Sequence, residues 1–103
     1  MNFKKIPKLK IGNLEVKIPI IQGGMAVGIS LSGLASAVAN AGGIGVIGTA
    51  GIGMLESDFG KNFTEANKRA LRKVIRKAKE MSKGIIGVNI MVALSDFYDM
   101  TRL

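Results

Sequence analysis

Three short apolar runs alternate with two stretches of helical period, and that alternation restricts the chain to few folds. The runs are PIIQ at 19–22, GIGVIG at 43–48 and IIGVNIMVA at 85–93. GIGVIG has no polar alternation, which is how a strand covered on both faces reads. Strands separated by single helices form parallel sheets with right-handed crossovers. The sequence therefore predicts an α/β fold. Three parallel strands are a poor end point, because so small a sheet leaves both edges unpaired and one face uncovered. Residues 1–103 are accordingly expected to be the N-terminal portion of one larger domain whose remainder lies outside this chain. Alone, the chain is expected to self-associate through its open edges.

Local signals fill in the order. Leu9 and Ile11 precede Gly12-Asn13, and Leu14, Val16 and Ile18 follow it. This alternation reads as a short hairpin with a tight turn. Ser30 is placed to cap a helix running to Asn40, with Leu31, Leu34, Ala35 and Val38 as its apolar stripe and Gly42 as its stop. Residues 49–62 read as a loop. Asn62 or Thr64 then caps a long helix reaching about Ser82. Ala66, Ala70, Leu71, Val74, Ile75, Ala78 and Met81 share one of its faces, and Gly84 ends it. The last ten residues carry no firm signal.

Composition removes several chemistries. There is no Cys and no His. Disulfides, thiolate metal sites, His-based triads and the commonest neutral-pH general base are thereby absent. Any proton-transfer group is a carboxylate, Lys or Tyr, or lies outside this chain. The net charge of +8 invites a nucleic-acid or lipid reading, but nine of the fifteen basic residues fall between Lys61 and Lys83 on one predicted helix. No aromatics interleave with them to stack on bases. They read as the solvated outer face of a helix, and neither nucleic acid nor membrane is expected as a partner. Between Lys17 and Glu56 there is no charge at all, a length that could span a bilayer. Ten glycines between Gly23 and Gly53 and the switching of helix and strand signals argue against a span. The start, MNFKKIPKLKIG, lacks the apolar stretch of a signal peptide, so a cytoplasmic location is expected.

Two familiar glycine patterns fail on context. Residues 43–48 match G-x-G-x-x-G, but a helix precedes them and the motif is itself the strand, the reverse of a dinucleotide turn. Small residues that let a strand and its neighbours pack closely explain it better. FGKN at 59–62 lacks both the upstream glycine and the following Ser or Thr of a phosphate loop. Asp96 and Asp99 have no third ligand nearby, so no metal site is expected. Asn89, a polar amide in an apolar strand, needs a partner if buried, either backbone or a ligand.

The strand ends carry the one functional signal. In parallel α/β folds ligands sit at the carboxyl ends of strands. QGGMA (22–26) ends the first run, GTAG (48–51) ends the second, and Asn89-Ile90-Met91 lies near the end of the third. Glycines there let backbone N–H groups approach a flat ligand. The convergence suggests a planar cofactor contacted largely by main chain.

PIIQGGMA, a small-residue helix, AGGIGVIG and then GVNIM, in that order, resemble the N-terminal part of the nitronate monooxygenase family, also called 2-nitropropane dioxygenases. FMN-dependent enoyl-acyl-carrier-protein reductases of the second type share the pattern. The resemblance covers about Ile11 to Met91. It implies a (β/α)8 TIM barrel that binds FMN, of which this chain would hold about three βα units after the hairpin. It implies that the main chain of Gly24, Met25 and Ala26 lines the flavin ring and that Asn89 hydrogen-bonds it. Gly23, Gly48 and Thr49 would be near neighbours. The family's catalytic histidine lies later in the barrel, so no catalytic residue carries over to this chain.

The expected function is that of an FMN-dependent oxidoreductase oxidising alkyl nitronates with O2, with this piece inactive by itself. The enzyme alternative reduces an enoyl thioester with NAD(P)H through FMN. The alternative of another class is a small basic binding protein without enzymatic activity.

Overall fold

A computed structural model of the chain describes residues 6–103. The signal-peptide reading rests partly on Met1 to Lys5, which lie outside the described residues. The order is β1 (Leu9–Ile11), β2 (Leu14–Val16), α1 (Ser32–Asn40), β3 (Ile44–Gly48), α2 (Phe63–Met81), β4 (Ile85–Asn89) and α3 (Phe97–Thr101). This is a mixed α/β arrangement. Among the described residues no helix is long and apolar enough to cross a membrane.

β1 and β2 form the expected antiparallel hairpin, with Leu9 opposite Val16 and Ile11 opposite Leu14. Gly12 takes φ +55° at the turn, a conformation costly for a side-chain-bearing residue. β3 and β4 pair in parallel, Ile44 beside Ile85 through Gly48 beside Asn89. The run at 20–22 flanks β3 on its other side. It is not a full strand but a single parallel bridge, Ile21 to Ile44. The Ile44 N–H donates to the Ile20 carbonyl and the Gln22 N–H to the Ile44 carbonyl. At the next rung the Gln22 side chain replaces its main chain: the Val46 N–H donates to Oε1 at 3.0 Å. The backbone beyond Gln22 is thus free to leave the ladder.

Side-chain alternation gives the sheet two faces. Ile47 and Ile86 point toward the helices and pack with Ala35, Leu71, Ala78 and Met100. Ile44, Val46 and Ile85 point the other way, where Val16 and Leu9 of the hairpin cover them. β3 is buried along its whole length, as read from sequence. β4 differs from expectation. It ends at Asn89 rather than Ala93 and is only partly buried, because among the described residues β3 is its one strand neighbour. Ile47 is 0% exposed at the centre of the helix-side core. Ile47→Ala should cost about 2–5 kcal/mol of unfolding free energy and Ile47→Val only about 0.5–1.5 kcal/mol. Urea melts that showed equal losses would contradict this packing.

α1 corrects a second expectation. Ser30 does not cap it; the helix begins at Ser32, and Leu31 at the cap position makes no side-chain hydrogen bond. Its buried face is Ser32, Ala35, Ser36 and Ala39, while Leu34 is exposed. Small residues win because the helix lies almost on the strand backbone. A Cβ on Gly45 would fall 1.8 Å from the Ala35 carbonyl oxygen. The other two glycines of GIGVIG are as tightly placed. A Cβ on Gly43 would fall 2.9 Å from the Ile20 carbonyl oxygen and one on Gly48 2.7 Å from that of Met25. Close packing accounts for all three. At the far end of α1, Gly42 (φ +104°) closes the helix as anticipated. Its N–H donates to the Ala39 carbonyl and that of Gly43 to the Val38 carbonyl, the paired bonds of a Schellman stop.

α2 covers the expected span with its basic face outward, but Asn62 at its cap position makes no side-chain hydrogen bond and Met81, expected on the apolar face, is exposed. Three of those cations pair with carboxylates: Lys68 with Glu65, Arg69 with Asp58 and Glu56, and Lys73 with Glu56. The Lys73 ammonium holds the Glu56 carboxyl below its ordinary range, and the Arg69 guanidinium does the same for Asp58. The Glu56 and Asp58 pairs tie the β3–α2 loop to the helix, and all of these surface pairs contribute little stability individually. The buried tie is polar and was not anticipated. Asn67 sits among the alanines of α2, accepts from the Gly53 N–H at 2.8 Å and donates to Asp96 Oδ2 at 3.0 Å. Asp96 is therefore a buried structural acceptor that links α3 to the loop and to α2.

Candidate functional site

The carboxyl end of the sheet, on the face away from the helices, brings the strand ends together. Gly48 and Asn89 are the last paired residues of β3 and β4 and share that face with Val46 and Ile44. Thr49 joins the two ends: its N–H and its hydroxyl both donate to the Asn89 carbonyl, at 3.2 and 2.9 Å. The loop after Gln22 folds across them. Gly24 lies against the Asn89 side chain so closely that a Cβ on Gly24 would fall 2.4 Å from Asn89 Cβ and 3.2 Å from its Oδ1. The Met25–Ala26 peptide lies on Gly48. The structure thus unites Gly24, Met25, Ala26, Gly48, Thr49 and Asn89. Gly23 differs from Gly24 in having nothing within 4 Å of where its Cβ would be.

Asn89 departs from the reading of a buried amide. It is exposed, and among the described residues its carboxamide has no hydrogen-bond partner; only its main-chain carbonyl is engaged. Desolvation therefore does not force a partner on it, and the carboxamide is available to a ligand.

The loop is held from beneath by a residue that the sequence had suggested for another role. Ser30 is 0% exposed. Its Oγ accepts from the Met25 N–H at 2.9 Å and from Gln22 Nε2 at 3.1 Å. Its own N–H donates to the Met25 carbonyl at 2.9 Å, and its carbonyl accepts from the Gly48 N–H at 2.9 Å. Sequence reasoning missed Gln22 and Ser30 as site-building residues. A serine two positions before a helix carries the same local signal whether it caps the helix or anchors a loop.

The turn that follows is strained. Val27 adopts φ +55°, which β-branched residues rarely do, and Gly28 follows at +82°. The Val27 N–H donates to the Ala50 carbonyl at 3.1 Å, so the β3 end holds the strained residue in place. Such conformations persist only where the surroundings over-determine them, and they cluster at ligand sites.

Electrostatically the site is blank. Residues 22–30, 48–55 and 89–95 contain no ionisable side chain. Proton transfer at these strand ends would need a group from elsewhere. What they offer is main-chain donors and acceptors, one free carboxamide and glycines where side chains would collide. That set fits a flat, uncharged ring with hydrogen-bonding edges. A concavity of about 880 Å³ lies at the opposite, amino end of the strands, lined by Glu15, Lys17, Glu80 and Lys83 among others. It is remote from the end where parallel α/β folds bind ligands, and its mixed charges converge on no one chemistry.

Two comparisons with known proteins bear on the chain. The family model described as nitronate monooxygenase matches residues 8–102. No curated protein matches it.

Proposed function

Because this chain belongs to the nitronate monooxygenase family, a family of generally flavin-dependent oxidoreductases, we propose that its strand ends form the ring wall of an FMN site. The enzyme is then a (β/α)8-barrel oxidoreductase acting on alkyl nitronates with O2. The parallel neighbours 20–22, β3 and β4, in sequential order with helices on one face, support the barrel reading. Gly24, Met25 and Ala26 provide flat main chain, and Gly48 supports it from below. The Asn89 carboxamide hydrogen-bonds a polar edge of the ring. Thr49 locks the ends of β3 and β4 in register, and Gly23 is a neighbour of the wall. Bound there, FMN supplies the electron-transfer chemistry; these residues bind it, orient it and keep charge away.

The packing of Gly24 against a carboxamide with no other partner carries this reading. The test is a titration of the intact protein with FMN, followed by quenching of flavin fluorescence, and then assays of the loaded protein. Saturable binding with consumption of O2 and propyl-2-nitronate is expected. Absence of FMN binding would overturn the cofactor assignment. Turnover of an enoyl thioester with NAD(P)H, and none of the nitronate, would overturn the reaction.

A further inference from the structure

We propose that Gln22 and Ser30 are positioning residues that orient the peptides of the ring wall without touching the ligand. The inference rests on the FMN reading for its ligand but not for its geometry. The Val46 N–H can only be received by an oxygen, so the 3.0 Å contact fixes which end of the Gln22 amide is Oε1. Nε2 is thereby aimed at Ser30 Oγ. That oxygen also accepts from the Met25 N–H, which fills its two acceptor positions. The hydroxyl hydrogen is left to point at the Gly23 carbonyl, 3.5 Å away. Ser30 is fully buried, so water does not compete.

Three main-chain groups are consequently turned inward: the Gly23 carbonyl, the Met25 N–H and the Met25 carbonyl. No peptide bond here is cis. In a planar trans peptide the C=O and N–H point in opposite directions. The Gly24 N–H, the Gly24 carbonyl and the Ala26 N–H must therefore face outward. None of the three has a partner among the described residues. They form a donor–acceptor–donor row beside the free Asn89 carboxamide. Without the hydroxyl, the Gly24–Met25 peptide loses its anchor next to two adjacent glycines, which resist rotation least of all residues.

The test compares the intact wild-type protein with Ser30→Ala, Ser30→Thr and Gln22→Met. Two quantities are read: amide hydrogen exchange at Met25, and FMN binding with the visible absorption and circular dichroism of the bound flavin. Ser30→Ala and Gln22→Met are expected to speed Met25 exchange more than exchange across the core, to weaken FMN binding roughly tenfold, about 1.4 kcal/mol, and to shift the flavin bands. Ser30→Thr, which keeps the hydroxyl, should restore both; if its added methyl prevents folding, Gln22→Met decides. Unchanged Met25 exchange in Ser30→Ala and Gln22→Met would overturn the positioning role. So would acceleration spread evenly over the core, which would mark a merely structural serine. If the wild type binds no FMN, the functional reading fails, and the exchange data alone still decide whether these two residues set the peptides.

Discussion

Gly24→Ala is expected to weaken FMN binding by one to two orders of magnitude, while its neighbour variant Gly23→Ala binds as the wild type does. The contrast comes from two adjacent glycines with opposite surroundings. A Cβ on Gly24 would fall 2.4 Å from Asn89 Cβ, whereas one on Gly23 meets nothing within 4 Å. Asn89 Cβ is attached directly to the β4 backbone and cannot swing aside as the tip of a long side chain can. Either the loop lifts or the strand end shifts, and both break the alignment of the Gly24 main chain with the carboxamide. Overpacking of this kind costs about 1–3 kcal/mol, and each 1.4 kcal/mol that falls on the ligand is about tenfold in affinity. Fluorescence titration of both variants, with thermal melts to confirm folding, decides the matter. Equal affinities would mean that the Gly24–Asn89 contact is not part of the site.

For stability the largest loss should come from Gly45→Ala. The added methyl would lie 1.8 Å from the Ala35 carbonyl oxygen. That oxygen belongs to the α1 backbone, so the whole helix must move off β3. A loss of about 3 kcal/mol or more is expected, at the upper end of overpacking costs. A loss of this size lowers Tm by several degrees, the more so the smaller the cooperative unit. Gly33→Ala, at the second residue of the same helix with open space around it, should instead stabilise by about 0.5 kcal/mol through the entropy of the unfolded chain. If Gly45→Ala melted within a degree or two of the wild type, the close seating of α1 on β3 would be wrong.

Both predictions concern glycines, and the sequence marked them without saying what they faced. The GIGVIG letters alone admitted a dinucleotide turn; their place after a helix pointed to close packing, which the main-chain approaches at Gly43, Gly45 and Gly48 account for. The hairpin, β3 and α2 were legible because their signals are local: alternation of two, a short Gly, Ile and Val run without polar residues, and a period near four. The convergence of QGGMA, GTAG and Asn89 was legible as well, since parallel strands bring their carboxyl ends to one edge. The stripe of α1 holds only in part, for a physical reason. Ala35 is buried as expected, but a helix seated this close to the sheet buries Ser32, Ser36 and Ala39 beside it, leaving Val38 half-buried against Gly43 and Leu34 exposed.

Period, glycine placement and the missing His and Cys thus determined, by themselves, the α/β order, the edge at which the strand ends converge, and the lack of a histidine or thiol among this chain's own residues there. They could do so because each depends on neighbours in the chain or on composition. Only the tertiary structure decided that Gln22 leaves the ladder through its side chain, that Ser30 anchors a loop instead of capping a helix, and that Asn89 is exposed beside Gly24. Those outcomes depend on contacts between residues five to sixty-five apart in the chain, and which distant groups meet is settled by packing, which no local pattern encodes.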